Sequence, residues 1–142
     1  MRRTTALAAA VALMLAAPSI GLALSRVLHG PAGPGGSAIV DVQFNIRHGH
    51  ATKITRFQFA NIPASCHGYP PTAVSDELSV HPSVSASGRF HAREKTNGGR
   101  VTYTVSGQFT GLDKAAGTLR VKGTVSGCLA ADTGVVHWSA TG

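Results

Sequence analysis

Aromatic residues are scarce in this chain: five Phe, two Tyr and one Trp among 142 residues. Acidic residues number only six, and there are two cysteines. Each shortage excludes something. A glycosidase needs two carboxyls converging across one bond. Here Asp41, Asp76, Glu77, Glu94, Asp113 and Asp132 are the whole supply. The adjacent pair, Asp76 and Glu77, would face opposite sides of a strand. No Gly-x-Ser-x-Gly elbow offers a serine nucleophile, and no Cys-x-x-Cys offers a zinc or redox pair. The Gly-rich stretch 30–36 lacks the Gly-Lys-Ser/Thr ending of a phosphate loop. No Asn-x-Ser/Thr glycosylation site occurs. The chain reads as non-enzymatic and without a cofactor.

A long apolar run occurs only at the start. Arg2 and Arg3 precede an almost unbroken apolar run from Ala6 to Ala17, then Pro18, Gly21 and a small-x-small site at Gly21-Leu22-Ala23. That order is a secretory signal peptide, helical and cut after Ala23. The general secretory route is favoured over twin-arginine export, because Thr4-Thr5-Ala6 are not the bulky apolar residues that follow a twin-arginine pair. No cysteine stands near the cut to carry a lipid. An uncleaved anchor is the alternative, but Pro18 and Ser19 interrupt a run already short of the roughly 20 residues a span needs. After cleavage no transmembrane segment remains.

Export places the chain where disulfides persist. Cys66 and Cys128 then have one connectivity open to them, closing a loop of about 60 residues worth roughly 4 kcal/mol in the chain-entropy model. With Arg2 and Arg3 removed, eleven basic residues face the six acidic ones. A balance of that size keeps a small domain dispersed, and it also attracts anionic surfaces. Arg47, Lys53, Arg56, Arg89, Arg93, Arg120 and Lys122 are the candidate contacts to an anionic partner. They form no basic run and have few aromatics between them for base stacking. With export, this argues against nucleic acid.

Period-two alternation dominates the rest. Residues 24–37 are rich in Gly and Pro and read as a flexible tether. In 38–46, Ala38, Val40, Val42, Phe44 and Ile46 alternate with Ile39, Asp41, Gln43 and Asn45. In 52–60, Phe57 and Phe59 point inward. Pro63, Gly68, Pro70 and Pro71 mark 61–75 as a loop. A short strand is expected at 76–80 and only weak strand character at 83–87. In 88–95, Phe90 and Ala92 point inward and Arg89, His91 and Arg93 outward. Asn97-Gly98 is a hairpin turn. Segments 100–110, 118–126 and 135–141 complete the set, with Gly107 and Gly123 expected to mark bulges or bends. No segment after the signal has a helical period. The expectation is an all-β fold, an antiparallel sandwich or small barrel of about six to eight strands, forming a single domain over 38–142. Its oligomeric state is expected to be monomeric.

His48-Gly49-His50 is the one metal-like motif, since residues i and i+2 of a strand share a face. Gly49 falls at an expected turn and no carboxylate or cysteine completes a ligand set, so no metal site is assigned. Trp138 and Tyr103 read as core rather than as a ligand platform.

Gly88-Arg89-Phe90, Val105-Ser106-Gly107-Gln108-Phe109, Ala116-Gly117-Thr118-Leu119-Arg120, Cys128 and His137-Trp138-Ser139-Ala140 follow one another in an order that resembles uncharacterised exported β-rich proteins of actinobacteria (high-GC Gram-positive bacteria). The resemblance covers about 38–141, and in those proteins an earlier cysteine, matched here by Cys66, accompanies the later one. It implies a shared fold and export, and it brings no activity with it.

The functional expectation is an exported, non-enzymatic β domain, secreted or associated with the cell envelope. It would present a basic surface to an anionic envelope polymer or lipid surface. A barrel-type carrier of a small molecule or lipid is the alternative. A secreted hydrolase or metalloenzyme, and a peptidase inhibitor using the loop 61–75, stand behind it.

Overall fold

Alternating side chains turn most of this chain into strands, and the strands pair into one antiparallel sheet. The computed structural model describes residues 24–142; the expected signal peptide, 1–23, lies outside the described residues. The strands are β1 (Leu24–Pro31), β2 (Ile39–Arg47), β3 (His50–Cys66), β4 (Tyr69–Glu77), β5 (Arg89–Thr96), β6 (Val101–Phe109), β7 (Lys114–Val125), β8 (Cys128–Asp132) and β9 (Val136–Thr141). There is no helix among the described residues. The all-β expectation therefore holds.

The neighbours run β4-β3-β2-β1-β9-β7-β6-β5, and β8 pairs with both β3 and β7. That double pairing closes a ring, β3-β2-β1-β9-β7-β8. The pairs Ser65 with Asp132 and Lys122 with Asp132 meet at the closing strand. β4 extends the sheet beyond β3, and β6 with β5 extends it beyond β7. The architecture combines a barrel-like closure with two flanking layers packed face to face. Where these layers meet, side chains do the joining. The Tyr103 hydroxyl donates to Asp76. Glu94, 9% exposed, accepts from the Ser79 hydroxyl and from its backbone N–H at 2.9 Å.

Residues 24–31 are not a tether. All eight pair with β2, from Leu24 opposite Ile46 to Pro31 opposite Ile39. Leu28 is fully buried. Gly30, which composition assigns to flexible chain, is a packing residue: a Cβ there would meet the Ser139 carbonyl oxygen at 2.0 Å. Only the short link from Ala32 to Ser37 turns the chain, and the Ala32 N–H donates to the Ala38 carbonyl at 2.9 Å to close it.

Residues 61–75 are not a loop either. β3 runs on to Cys66, a tight turn follows at His67 and Gly68, and β4 returns as an outer strand. Pro63 lies opposite Ala73. Pro70 and Pro71 sit in β4 itself at the register shift between the Ala64–Thr72 and Cys66–Tyr69 pairs; the free outer edge of β4 excuses one missing N–H and the irregularity the other. β4 ends at Glu77, short of the strand expected at 76–80. The chain still follows β3 beyond that point, since the Leu78 and Val84 N–H groups donate to the Phe57 and Thr52 carbonyls at 3.0 Å each.

The core follows the alternation closely. Val40, Val42 and Phe44 of β2 face Val105, Leu119, Val121 and Trp138 from the other layer as parts of one buried cluster. Thr55 is an extra residue in β3, between the pairs Ile54–Phe44 and Arg56–Gln43. This bulge lets both Ile54 and Phe57 point inward. Gly123 does mark a bulge, with a shift in the β7–β8 register and φ of 132°. Gly107 does not: β5, β6 and β7 keep an unbroken register across it. It is small because the Phe90 and Trp138 rings lie against its backbone.

Candidate functional site

The register of β5, β6 and β7 sets the outer face of this sheet. Phe90, Ala92, Val101, Tyr103, Val105, Leu119 and Val121 are buried, so their immediate neighbours along each strand must face outward. Cross-strand pairing then arranges those neighbours in rows. Arg89 lies opposite Gln108, which lies opposite Ala116. The next row is His91, Ser106, Thr118 and, on β9, His137. The third is Arg93, Thr104 and Arg120; the fourth is Lys95, Thr102 and Lys122.

A line of hydroxyl residues thus runs along β6, with cationic lines on both sides. Six cations, Arg89, Arg93, Lys95, Lys114, Arg120 and Lys122, share this face with the Asp132 carboxylate at the rim; Lys114, at the start of β7, is two residues from Ala116 on the same side. Arg120 grips that carboxylate with two bonds, Nε to Oδ1 at 3.0 Å and Nη2 to Oδ2 at 2.7 Å. The guanidinium, with the Gly134 N–H, holds the Asp132 carboxyl down to about 2 from its ordinary 3.8. The same pairing pushes Arg120 up from its ordinary value. Arg89, Arg93, Lys95 and Lys122 form no ion pair among the described residues. A shallow recess of about 220 Å³ opens between Arg93, Thr102, Thr104, Arg120 and Lys122. A wider one, about 540 Å³, lies further along the face past Arg89, His91, Ser106 and Gln108.

The seven cations expected to contact an anionic partner divide four to three. Arg89, Arg93, Arg120 and Lys122 come together on this face. Arg47, Lys53 and Arg56 do not: they belong to β2 and β3. Arg56 is engaged there with Glu77 at 3.1 Å and with Gln58 at 2.8 Å. The sequence reading also missed Lys95, the hydroxyls of Thr102, Thr104 and Ser106, and Asp132. A signal for the first four was present. Period two from Arg89 reaches Lys95, and the Asn97-Gly98 hairpin puts Lys95 opposite Thr102 and Arg93 opposite Thr104. Asp132 carried no such signal, because β8 has no alternation.

His48 and His50 lie exposed at the β2–β3 turn, where His48 and Gly49 both have positive φ. No group of three or more His, Cys, Asp or Glu side chains able to hold a metal ion occurs among the described residues. Cys66 and Cys128 form a disulfide with a Cα–Cα distance of 5.8 Å, joining the end of β3 to the start of β8. Trp138 and Tyr103 are both buried and apart: Trp138 packs on Phe57 and Phe90, Tyr103 on Phe59. Burial first, then the Asp76 carboxylate, pushes the Tyr103 phenol up. Contacts such as Phe44 with Phe109, at 4.5 Å between ring centres, and Phe57 with Trp138, at 5.4 Å, fill the space between the layers with aromatic rings.

No family model, curated protein or solved structure matches the chain.

Proposed function

We propose that this protein is an exported, non-enzymatic β domain that binds an anionic cell-envelope polymer through the outer face of β5, β6 and β7. The observation that carries the reading is the gathering of six cations and one carboxylate on a single polar sheet face. Charge on that scale, with low-lying side chains between, draws a polyanion by long-range attraction and holds it by charge-assisted hydrogen bonds. Export is supported by the signal-like start, read from the sequence, and by the disulfide, which suits an oxidising compartment. The carrier alternative needs interior space, and aromatic rings fill that space. The inhibitor alternative needs a presented loop at 61–75, and those residues form a hairpin.

The test is sedimentation of the purified protein with isolated cell-envelope material at low and high salt. Binding at low salt that weakens about 10-fold or more on a fourfold rise in salt is the expected result, since each neutralised charge adds to the salt dependence. Binding indifferent to salt, or no binding at low salt, removes the reading.

A further inference from the structure

The cations of this face are ordered, and the order carries chemical information. Successive outward residues of a strand stand about 6.8 Å apart, and strands two places apart lie about 9.6 Å from each other. Each row therefore presents donors to a ligand lying above β6. In the Arg93–Thr104–Arg120 row a cation stands on each side of a threonine hydroxyl, Arg120 with its Nε and Nη2 already on Asp132 and its remaining N–H groups left to a ligand. The Lys95–Thr102–Lys122 row repeats this one step along the strand. His91 and His137 flank Ser106 and Thr118 in the next row, whose two hydroxyls are linked at 2.9 Å. Arg89 stands beside Gln108 in the row after that, and Lys114, one step beyond Ala116 on β7, ends the series.

We infer that the ligand of this face is a linear polymer of three-carbon polyol units joined by phosphodiesters, lying along β6 with one phosphate over each row. The inference rests on the anionic-polymer reading above and specifies its chemistry. An extended chain advances about 1.2 Å per backbone bond. The six bonds from one phosphorus to the next, through two ester oxygens and three carbons, span about 7 Å. That repeat equals the spacing of the rows. A phosphodiester keeps two free oxygens that point apart. In the Arg93 and Lys95 rows they accept from cations on both sides, while the hydroxyl of Thr104 or Thr102 below supplies a third donor; in the other two rows histidines, hydroxyls, Gln108 and Arg89 are the donors. The recess of about 220 Å³ between Arg93, Thr104 and Arg120 receives such a group.

Other polyanions fit less well. Single-stranded nucleic acid needs aromatic platforms for its bases, and no Phe, Tyr or Trp points outward from these strands. An acidic peptide strand has the right repeat, but each of its carboxylates stands on a flexible side chain whose ordering costs entropy.

The experiment uses the protein purified from a host that exports it and a labelled hexamer of 1,3-glycerol phosphate, read by fluorescence anisotropy at low salt. Comparison ligands of matched charge are hexaglutamate, a thymidylate oligomer and phosphatidylglycerol vesicles. The hexamer is expected to bind at least about 10-fold more tightly than each, with affinity rising with length until four phosphates are present. Arg93→Gln with Lys95→Gln weakens it about 10-fold or more, while Arg47→Gln with Lys53→Gln, on the other layer, removes the same charge and changes it less than about twofold. Circular dichroism melts confirm that both variants fold. Equal affinity for all the matched polyanions overturns the phosphodiester assignment but leaves the anionic-polymer reading standing. Tighter binding to the vesicles overturns it in favour of a lipid surface. Failure to bind the hexamer at low salt overturns it outright. Equal losses in the two variants overturn the face itself, and with it the proposed function.

Discussion

Gly107 shows how little room the interior leaves. A Cβ there would stand 2.5 Å from Phe90 Cζ and 2.8 Å from Trp138 Cζ2. Both rings are held by further packing, Phe90 against Phe109 and Trp138 against Phe57, so neither yields freely. Gly107→Ala is expected to cost about 1–3 kcal/mol, as overpacking does, and to lower the urea midpoint of unfolding. An unchanged midpoint would show that the rings move aside. Asp132 gives a second prediction at this scale. Its folded value of about 2 lies below the ordinary 3.8. Its contribution to stability is therefore present above about pH 4 and lost as pH falls towards 2. Asp132→Asn should flatten that part of the acid limb in melts followed against pH. Because the pair is partly solvated, the variant should cost less than about 1 kcal/mol at neutral pH. It also frees Arg120 and removes the rim carboxylate, so the polyanion affinity of the face should rise.

Strands differ in how plainly they announce themselves. β6 alternates without a break, because its inner face meets only core and its outer face only solvent. β1 and β8 do not alternate. β1 is wedged between β2 and β9 and is committed by pairing rather than by an apolar stripe; of its side chains only Leu28 is fully buried. A chain beginning at Gly33 would leave β2 and β9 with unpaired edges and the core without Leu28. It should lose cooperative unfolding, seen as a broad melt and weak near-ultraviolet dichroism. A sharp melt in that shortened chain would restore the tether reading. Prolines misled for a related reason. Pro70 and Pro71 argue against a strand only where its ladder is regular on both sides, and they fall at a register shift on the outer strand β4.

At the scale of the molecule, one covalent bond secures the closing strand. Cys66 and Cys128 are 62 residues apart in sequence, and their bridge ties β3 to β8 where the ring is completed. Replacing both by serine should cost about 4 kcal/mol on the loop-entropy account, measured as a fall in the denaturant midpoint with little change in slope. A loss well under 1 kcal/mol would mean that pairing alone holds β8 in place. The inward set, Phe57, Phe59, Phe90, Val101, Tyr103, Val105, Leu119 and Trp138, was legible in the sequence. So was the cysteine pair, because alternation and the parity of two cysteines are local or counting facts. The division of the basic residues was not. Arg56 and Arg93 have the same local pattern, an outward charge in an alternating strand. Their separation into different layers depends on which strands become neighbours. Composition and period two determined that this chain forms antiparallel strands with a disulfide among them. Which charges share a face, and that β8 closes the ring, were decided by tertiary pairing, because contacts between residues distant in sequence leave no period within a strand.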